Sequence, residues 1–338
     1  MTNLFKLYSN CILGSDWQYY PLSSTGIEVL SDAEVGKGFI TSYLGKGCKN
    51  ELKMFEYIHN LSDIRIRHIV SCFFLGVAIY YKCSKIQDSI NALLSTTHAN
   101  PKETTEERFL YVWMLICLFH DLGYVVENGL ALLKKNEFDD LMKMFPKRPK
   151  YIPKLFNKTL LKNYNKFRLC RFGVNDHGIV GGIKLYKDLC GLREVKEKED
   201  SSHFWGKSLE NDFCLAAWTI ACHNVFMAKK GNQNEKCYTC INLSSLIYNN
   251  QSREINLKDH SLLFLFCLID TIESLKIIHN FNLLKIISLE ISTQSIIIDY
   301  SNLCQVMKEE WEKKLKDLNE WLTNVKSSNL GKMIIEIL

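Results

Sequence analysis

Chain breakers are scarce in this sequence. Five prolines and 17 glycines punctuate 338 residues, which favours long helices over a turn-rich β fold. Apolar runs such as IVSCFFLGVAIYY (69–81) and FLYVWMLICLF (109–119) are too short to span a bilayer and read as buried helices. Helices are expected over 48–60, 63–82, 86–96, 105–120, 126–144, 176–191, 211–228, 260–280 and 303–325. The last has Trp311, Leu315, Leu318, Leu322 and Val325 in steps of four and three, an amphipathic helix that packs on its own domain.

One segment departs from the helical pattern. In KIISLEISTQSIIIDY (285–300), Ile287, Leu289 and Ile291 alternate with Ser288, Glu290 and Ser292, then the chain turns at Thr293-Gln294. The closing KMIIEIL (332–338) is also strand-like and can pair with it. The fold expected is mainly α, with a small β-hairpin or sheet near the C-terminus.

With 47% hydrophobic and 23% charged residues, the composition is that of a folded globular chain long enough for a substantial core. A formal charge of +5 does not by itself imply nucleic acid. Thirteen cysteines, many within apolar helical runs, together with an N-terminus lacking a signal-peptide pattern, point to a cytoplasmic protein with reduced thiols and no membrane partner.

Within the apolar stretches sit isolated polar groups. His68 lies in IRIRHIVSCFFLG, His120-Asp121 ends the 109–119 run, and Asp176-His177 opens NDHGIVGG. His223 lies in AAWTIACHN and Asp270 in LLFLFCLIDTIES. Burying such groups is costly unless each finds a partner. Imidazole and carboxylate suit divalent Zn, Fe and Mn, and ligands spread over several helices can converge inside a bundle. Neighbouring helical residues point about 100° apart. His120 and Asp121 are therefore not expected to chelate side by side; Asp121 fits better as a bridge between two metals. Small residues flank the ligands: Cys72 and Gly76 for His68, Gly181 for His177, Thr219 for His223. Glu273, at i+3 from Asp270, is a further ligand or a supporting residue, and Asn175 or Asp176 can cap the helix of His177.

The order H…HD…H…H…D, carried by His68, His120-Asp121, His177, His223 and Asp270, resembles the HD-domain superfamily of metal-dependent phosphohydrolases over residues 60–280. The resemblance implies an HD-domain helical core at 60–280; the N-terminal segment (1–59), expected to pack on it, and the C-terminal part (281–338) are read from the residue pattern alone. It implies hydrolysis of a phosphoester of a nucleotide or nucleotide-like substrate. One or two divalent ions (Fe, Mn or Zn) would be held by His68, His120, Asp121 and Asp270, with His177 and His223 completing a second site. Asp121 would bridge and position the water. Two other classes share the ligand set: a non-catalytic nucleotide-binding regulatory module and a di-iron oxygenase of HD type.

The segment 141–175 carries ten Lys or Arg and no Asp or Glu, interleaved with Phe145, Tyr151, Phe156, Tyr164, Phe167 and Phe172. It reads either as a contact for a phosphate-bearing, base-containing ligand, nucleic acid included, or as a solvated basic face with inward aromatics. Arg168 and Arg171, nearest in sequence to His177, are the candidate phosphate clamps. Glu127 and Asn224 lie near the motif without an assigned role. Cys237 and Cys240 form a lone CxxC, read as two unrelated loop cysteines, and His59, His98, His203, His260 and His279 as surface residues.

Overall fold

The structure is a computed structural model describing residues 1–13, 27–45, 51–97, 104–127, 135–199, 205–248, 254–273, 275, 280–322, 325–327 and 331–337. Two compact units are interleaved along the chain. One is built from Met1–Cys48, Ser62–Leu93 and Arg253–Leu338, the other from Lys49–Leu61 and Leu94–Ser252.

The first unit contains α1 (Leu4–Leu13), α2 (Glu28–Ser31), α3 (Ala33–Gly45), α4 (Asp63–Lys82), the start of α5 (Ser84–Thr97), α13 (Ser261–Ile272) and α14 (Gln305–Trp321). At its centre is α4, against which α1, α2, α3 and α13 pack. It has almost no polar stripe because it is covered on all sides, and every residue from His68 to Tyr80 is buried. Although its 69–81 run is too short to span a bilayer, the whole 20-residue helix is long and apolar enough to do so by length and composition alone. Its burial inside the unit makes it a core helix. From α3, Phe39 stacks on Phe74 at 5.3 Å and Tyr43 meets Phe73 edge-on at 5.4 Å. Each such ring contributes about 1.5–3 kcal/mol through burial.

The expected sheet is present and extends beyond the C-terminal region. Strands β4 (Ser288–Ile291), β5 (Ser295–Asp299), β7 (Lys332–Glu336) and β6 (Val325–Ser327) pair antiparallel, and β1 (Thr2–Asn3) adds at the β4 edge. The alternation sets the register: Leu289 opposes Ile298, and Ile296 opposes Ile335. Leu289, Ile296, Ile298, Met333 and Ile335 all lie on the buried face. In α14, Trp311 and Leu318 are buried as the amphipathic spacing requires, and Leu322 is buried just past its end. The side chains of Leu315 and Val325 lie outside the described residues.

The second unit begins with a 3-10 turn at Lys53–Asn60 where an α-helix was expected. Leu52, Phe55, Ile58 and Leu61 are buried at a spacing of three, the repeat of a 3-10 helix. Then come α6 (Thr105–Leu122), α7 (Tyr124–Glu127), α8 (Lys135–Met144), α9 (Lys158–Phe172), α10 (His177–Glu199), α11 (Leu209–His223) and α12 (Glu235–Cys240). Two short parallel strands, β2 (Ala228–Lys229) and β3 (Ile247–Tyr248), complete the unit. Of the helix expected at 126–144, the described parts are the end of α7 and α8; residues 128–134 and the side chain of Glu127 lie outside them.

The start of α6 is fixed by a capping box. The Thr104 hydroxyl accepts from the Glu107 N–H, and the Glu107 carboxylate accepts from the Thr104 N–H. α6, α10 and α11 pack on one another. Gly123 and Gly182 allow close approaches: a Cβ would lie 2.0 Å from the His177 carbonyl oxygen at Gly123 and 2.3 Å from that of Ala217 at Gly182. A buried ion pair joins α6 to α11, the Arg108 Nε donating to both Asp212 oxygens at 2.9 Å.

Candidate functional site

In the first unit, the site residues are brought together by α4 and α13. His68 is fully buried in the second turn of α4, and its Nδ1 lies 2.6 Å from Glu273 Oε2. Glu273 also accepts from the Ser71 hydroxyl at 2.7 Å and from the Leu275 N–H at 2.8 Å. Burial alone would raise this carboxyl, but the bonds from His68, Leu275 and Ser71 outweigh it and hold it below its ordinary range. Glu273 is thus a carboxylate, and a carboxylate only accepts. His68 therefore carries a proton on Nδ1. Its Nε2 faces Asp270 Oδ1 at 3.1 Å.

A ring nitrogen and a carboxylate oxygen at this distance share a proton or a cation. Metal–ligand bonds of about 2.1 Å at about 90–110° would place two ligand atoms about 3.0–3.4 Å apart. The His68–Asp270 pair has that separation, compatible with two ligands of one ion. Glu273 then occupies the position of a carboxylate that orients a ligating histidine. Its place follows from the end of α13: Glu273 has a helical φ of −64° and its N–H donates to the Ile269 carbonyl, so it lies on the Asp270 face, as the i+3 spacing implied, and both carboxylates reach the His68 ring.

The second unit repeats the arrangement with different supports. His120 Nδ1 lies 2.7 Å from the Cys117 carbonyl oxygen, and His223 Nδ1 lies 2.6 Å from that of Ile220. A carbonyl only accepts, so both rings carry the proton on Nδ1 and present Nε2. His120 Nε2 faces Asp121 Oδ1 at 3.2 Å, both side chains fully buried. Their ligand atoms thus come close although the two residues are neighbours on the helix. The Cα–Cβ bonds diverge along the helix, but the longer side chains fold back until their ligand atoms meet. The His120 and His223 rings are 5.5 Å apart, and His177 lies 5.4 Å from His223. Gly178 makes room for this cluster, since a Cβ there would lie 2.9 Å from His223 Cε1.

His177 is held differently. Its ring stacks on Tyr124 at 3.8 Å, and its Nδ1 is turned toward the Asn224 amide nitrogen at 3.4 Å. Asp176, beside it, caps α10 by accepting from the Ile179 N–H at 2.9 Å, and also accepts from Asn224 at 2.8 Å. Complete burial pushes the Asp176 carboxyl up from its ordinary value, against the pull of His177, the Ile179 N–H and Arg168.

Arg168 lies 3.7 Å from Asp176 and over the Phe172 ring at 4.8 Å. Its charge is directed at the cap of α10. Arg171 is exposed at the end of α9, in a surface depression shared with Cys170, Lys236, Cys237 and Cys240. Cys237 and Cys240 belong to α12, not to a loop. The basic segment is largely the helix α9, whose signals were in the sequence: Asn157 caps its start and Gly173, with φ 73°, ends it. Phe145, Phe156, Tyr164 and Phe167 point into the core, while Lys147, Lys150, Lys154, Lys162 and Lys166 are exposed. Among the remaining histidines, His59 is exposed and His260 half-buried; His98, His203 and His279 lie outside the described residues.

Sequence reasoning missed Ser71, the donor to Glu273, and Tyr124, the ring under His177. Ser71 at i+3 from His68 was the one available signal. No family model, no curated protein and no solved structure matches the chain.

Proposed function

We propose that this chain is a metal-dependent phosphohydrolase of HD type. Its ligands for one or two divalent ions are His68, His120, Asp121, His177, His223 and Asp270. One observation carries this reading: in each unit a buried imidazole, its Nδ1 committed to an acceptor, presents Nε2 to a carboxylate oxygen at 3.1–3.2 Å. Such pairs are expensive without a cation or a proton between them. The order of the ligands along the chain, similar to that of HD phosphohydrolases, supplies the reaction class.

A bound divalent ion would supply an acidified water and positive charge for phosphoryl oxygens. The residues of this chain do the rest. Glu273 and the Cys117 and Ile220 carbonyls hold three imidazoles in the ligating tautomer. Asp121 presents one oxygen beside His120. Asp270 has 19% of its side chain exposed to solvent, and His223 is half-buried.

The inward packing of four aromatics in 141–175 supports a small phosphorylated substrate, such as a nucleotide, over a polynucleotide stacked on those rings. Buried thiols such as Cys72, Cys83 and Cys117 agree with a reducing, cytoplasmic setting.

The test is phosphate release from a panel of nucleotides and aryl phosphate mono- and diesters, with Mn²⁺, Fe²⁺ or Zn²⁺ added to chelator-treated protein. Hydrolysis restored by metal and absent from Asp121→Ala supports the reading. Metal-independent hydrolysis, or none across the panel while oxygen is consumed with iron, overturns it.

A further inference from the structure

We propose that Tyr8 and Ser71 are positioning residues for His68, forming with Glu273 a directional hydrogen-bond chain that fixes the tautomer of a ligating imidazole. The proposal rests on the reading of His68 as a metal ligand. It adds the N-terminal helix to the machinery of that ligand.

The direction of the chain follows from counting hydrogens. A serine hydroxyl has one proton to give. Ser71 gives it to Glu273 Oε1 at 2.7 Å, because the carboxylate can only accept. The 2.7 Å contact between the Tyr8 and Ser71 hydroxyls therefore has Tyr8 as donor. The sequence is Tyr8 O–H to Ser71 O–H to Glu273, which on its other oxygen accepts from His68 Nδ1–H at 2.6 Å. All four side chains are fully buried. Burial, and then the charge of Glu273, push the Tyr8 phenol well above its ordinary value, so it stays a donor. Donors arriving from two sides fix where the Glu273 carboxylate can lie, and hence where the imidazole ring points.

Tyr8 is placed for this by the face it shares with Leu4, Leu7 and Ile12, all buried at helical spacing in α1, which packs on α4. The start of the helix is tied down by β1 pairing with β4 and by the Leu4 N–H donating to the Ile287 carbonyl at 2.8 Å. A phenol packed for its bulk alone would need no hydroxyl at the Ser71 end. Two buried hydroxyls are retained here, each with a defined acceptor.

The experiment uses full-length protein uniformly labelled with ¹⁵N. In the metal-free state, long-range ¹H–¹⁵N spectra read the tautomer of His68, assigned by its loss in His68→Gln. Co²⁺ titration, followed by its visible absorption, reads ligand quality without turnover. The wild type is expected to show Nδ1–H at His68. Tyr8→Phe and Ser71→Ala are expected to shift that population toward the other tautomer and weaken Co²⁺ binding about 3–10-fold, below or at the low end of losses for residues supporting a metal ligand. Ser71→Thr, which keeps the hydroxyl, is expected to restore both. Unchanged tautomer and Co²⁺ affinity in folded Tyr8→Phe overturns the proposal, as does a Ser71→Thr variant no better than Ser71→Ala. Should the wild type bind no Co²⁺, the metal reading fails, while the tautomer spectra still decide whether the chain positions His68.

Discussion

His68 and His120 present the same nitrogen to a carboxylate, yet they are held in unlike ways. His120 is fixed within its own helix, by the carbonyl three residues back, and His223 repeats that arrangement with Ile220. His68 is fixed by Glu273, which lies 205 residues away in the sequence and is itself held by Ser71 and the Leu275 N–H. A backbone carbonyl cannot be mutated away and does not titrate. A carboxylate can be mutated, carries charge, and raises the basicity of the ring it orients. The His68 support is therefore stronger and more easily broken.

The sharpest contrast comes from the ligands themselves. Asp121→Ala is expected to lower metal retention and phosphohydrolase activity at least 100-fold, because His120 Nε2 loses the oxygen 3.2 Å away. Metal content and phosphate release check both. Next, Glu273→Gln is expected to weaken metal binding about 10–100-fold, the range for losing a group that orients a ligating histidine. Its counterpart on α6, Cys117→Ala, leaves the carbonyl in place and is expected to change affinity less than about twofold. Equal losses in the two variants would erase the distinction between the supports.

A smaller effect is expected from Gly178→Ala. The added methyl meets the Ile220 carbonyl oxygen at 2.8 Å and the His223 ring at 2.9 Å, disturbing both partners of one hydrogen bond. Metal affinity is expected to fall several-fold, on the order of 1 kcal/mol, with α11 otherwise intact. The smallest effect belongs to Cys240→Ala: this thiol is exposed on α12, and metal content and activity are expected to be unchanged. A loss there would bring the cysteine-lined depression beside Arg171 into the site.

The same contrast explains what the sequence made legible. The bounds of α4 were readable because a twenty-residue run without Pro has polar residues only at its ends and at His68, Ser71 and Cys72. The β4–β5 hairpin was readable because Leu289 and Ile291 alternate with Ser288 and Glu290. Residues held by their own helix, such as His120, needed only local pattern. Tyr8 and Ser71 did not announce themselves, since a tyrosine in an apolar stretch and a serine in a core helix carry no spacing that points to a carboxylate far along the chain. The helix α9 was hidden by its charge: lysines with interleaved aromatics resemble a ligand-binding segment until the aromatics are found buried. The contact of Arg168 with Asp176 was not readable either, since Asp176 lies beyond the helix end and approaches it only on folding.

The most direct measurement is elemental analysis of purified protein, alongside His120→Ala and Asp270→Asn, which remove one ligand from each unit. With these residues as ligands, about one or two equivalents of Fe, Mn or Zn per chain are expected in the wild type. The content should fall in both variants. A wild type that holds no metal even after reconstitution, or variants that keep the full content, would contradict the assignment.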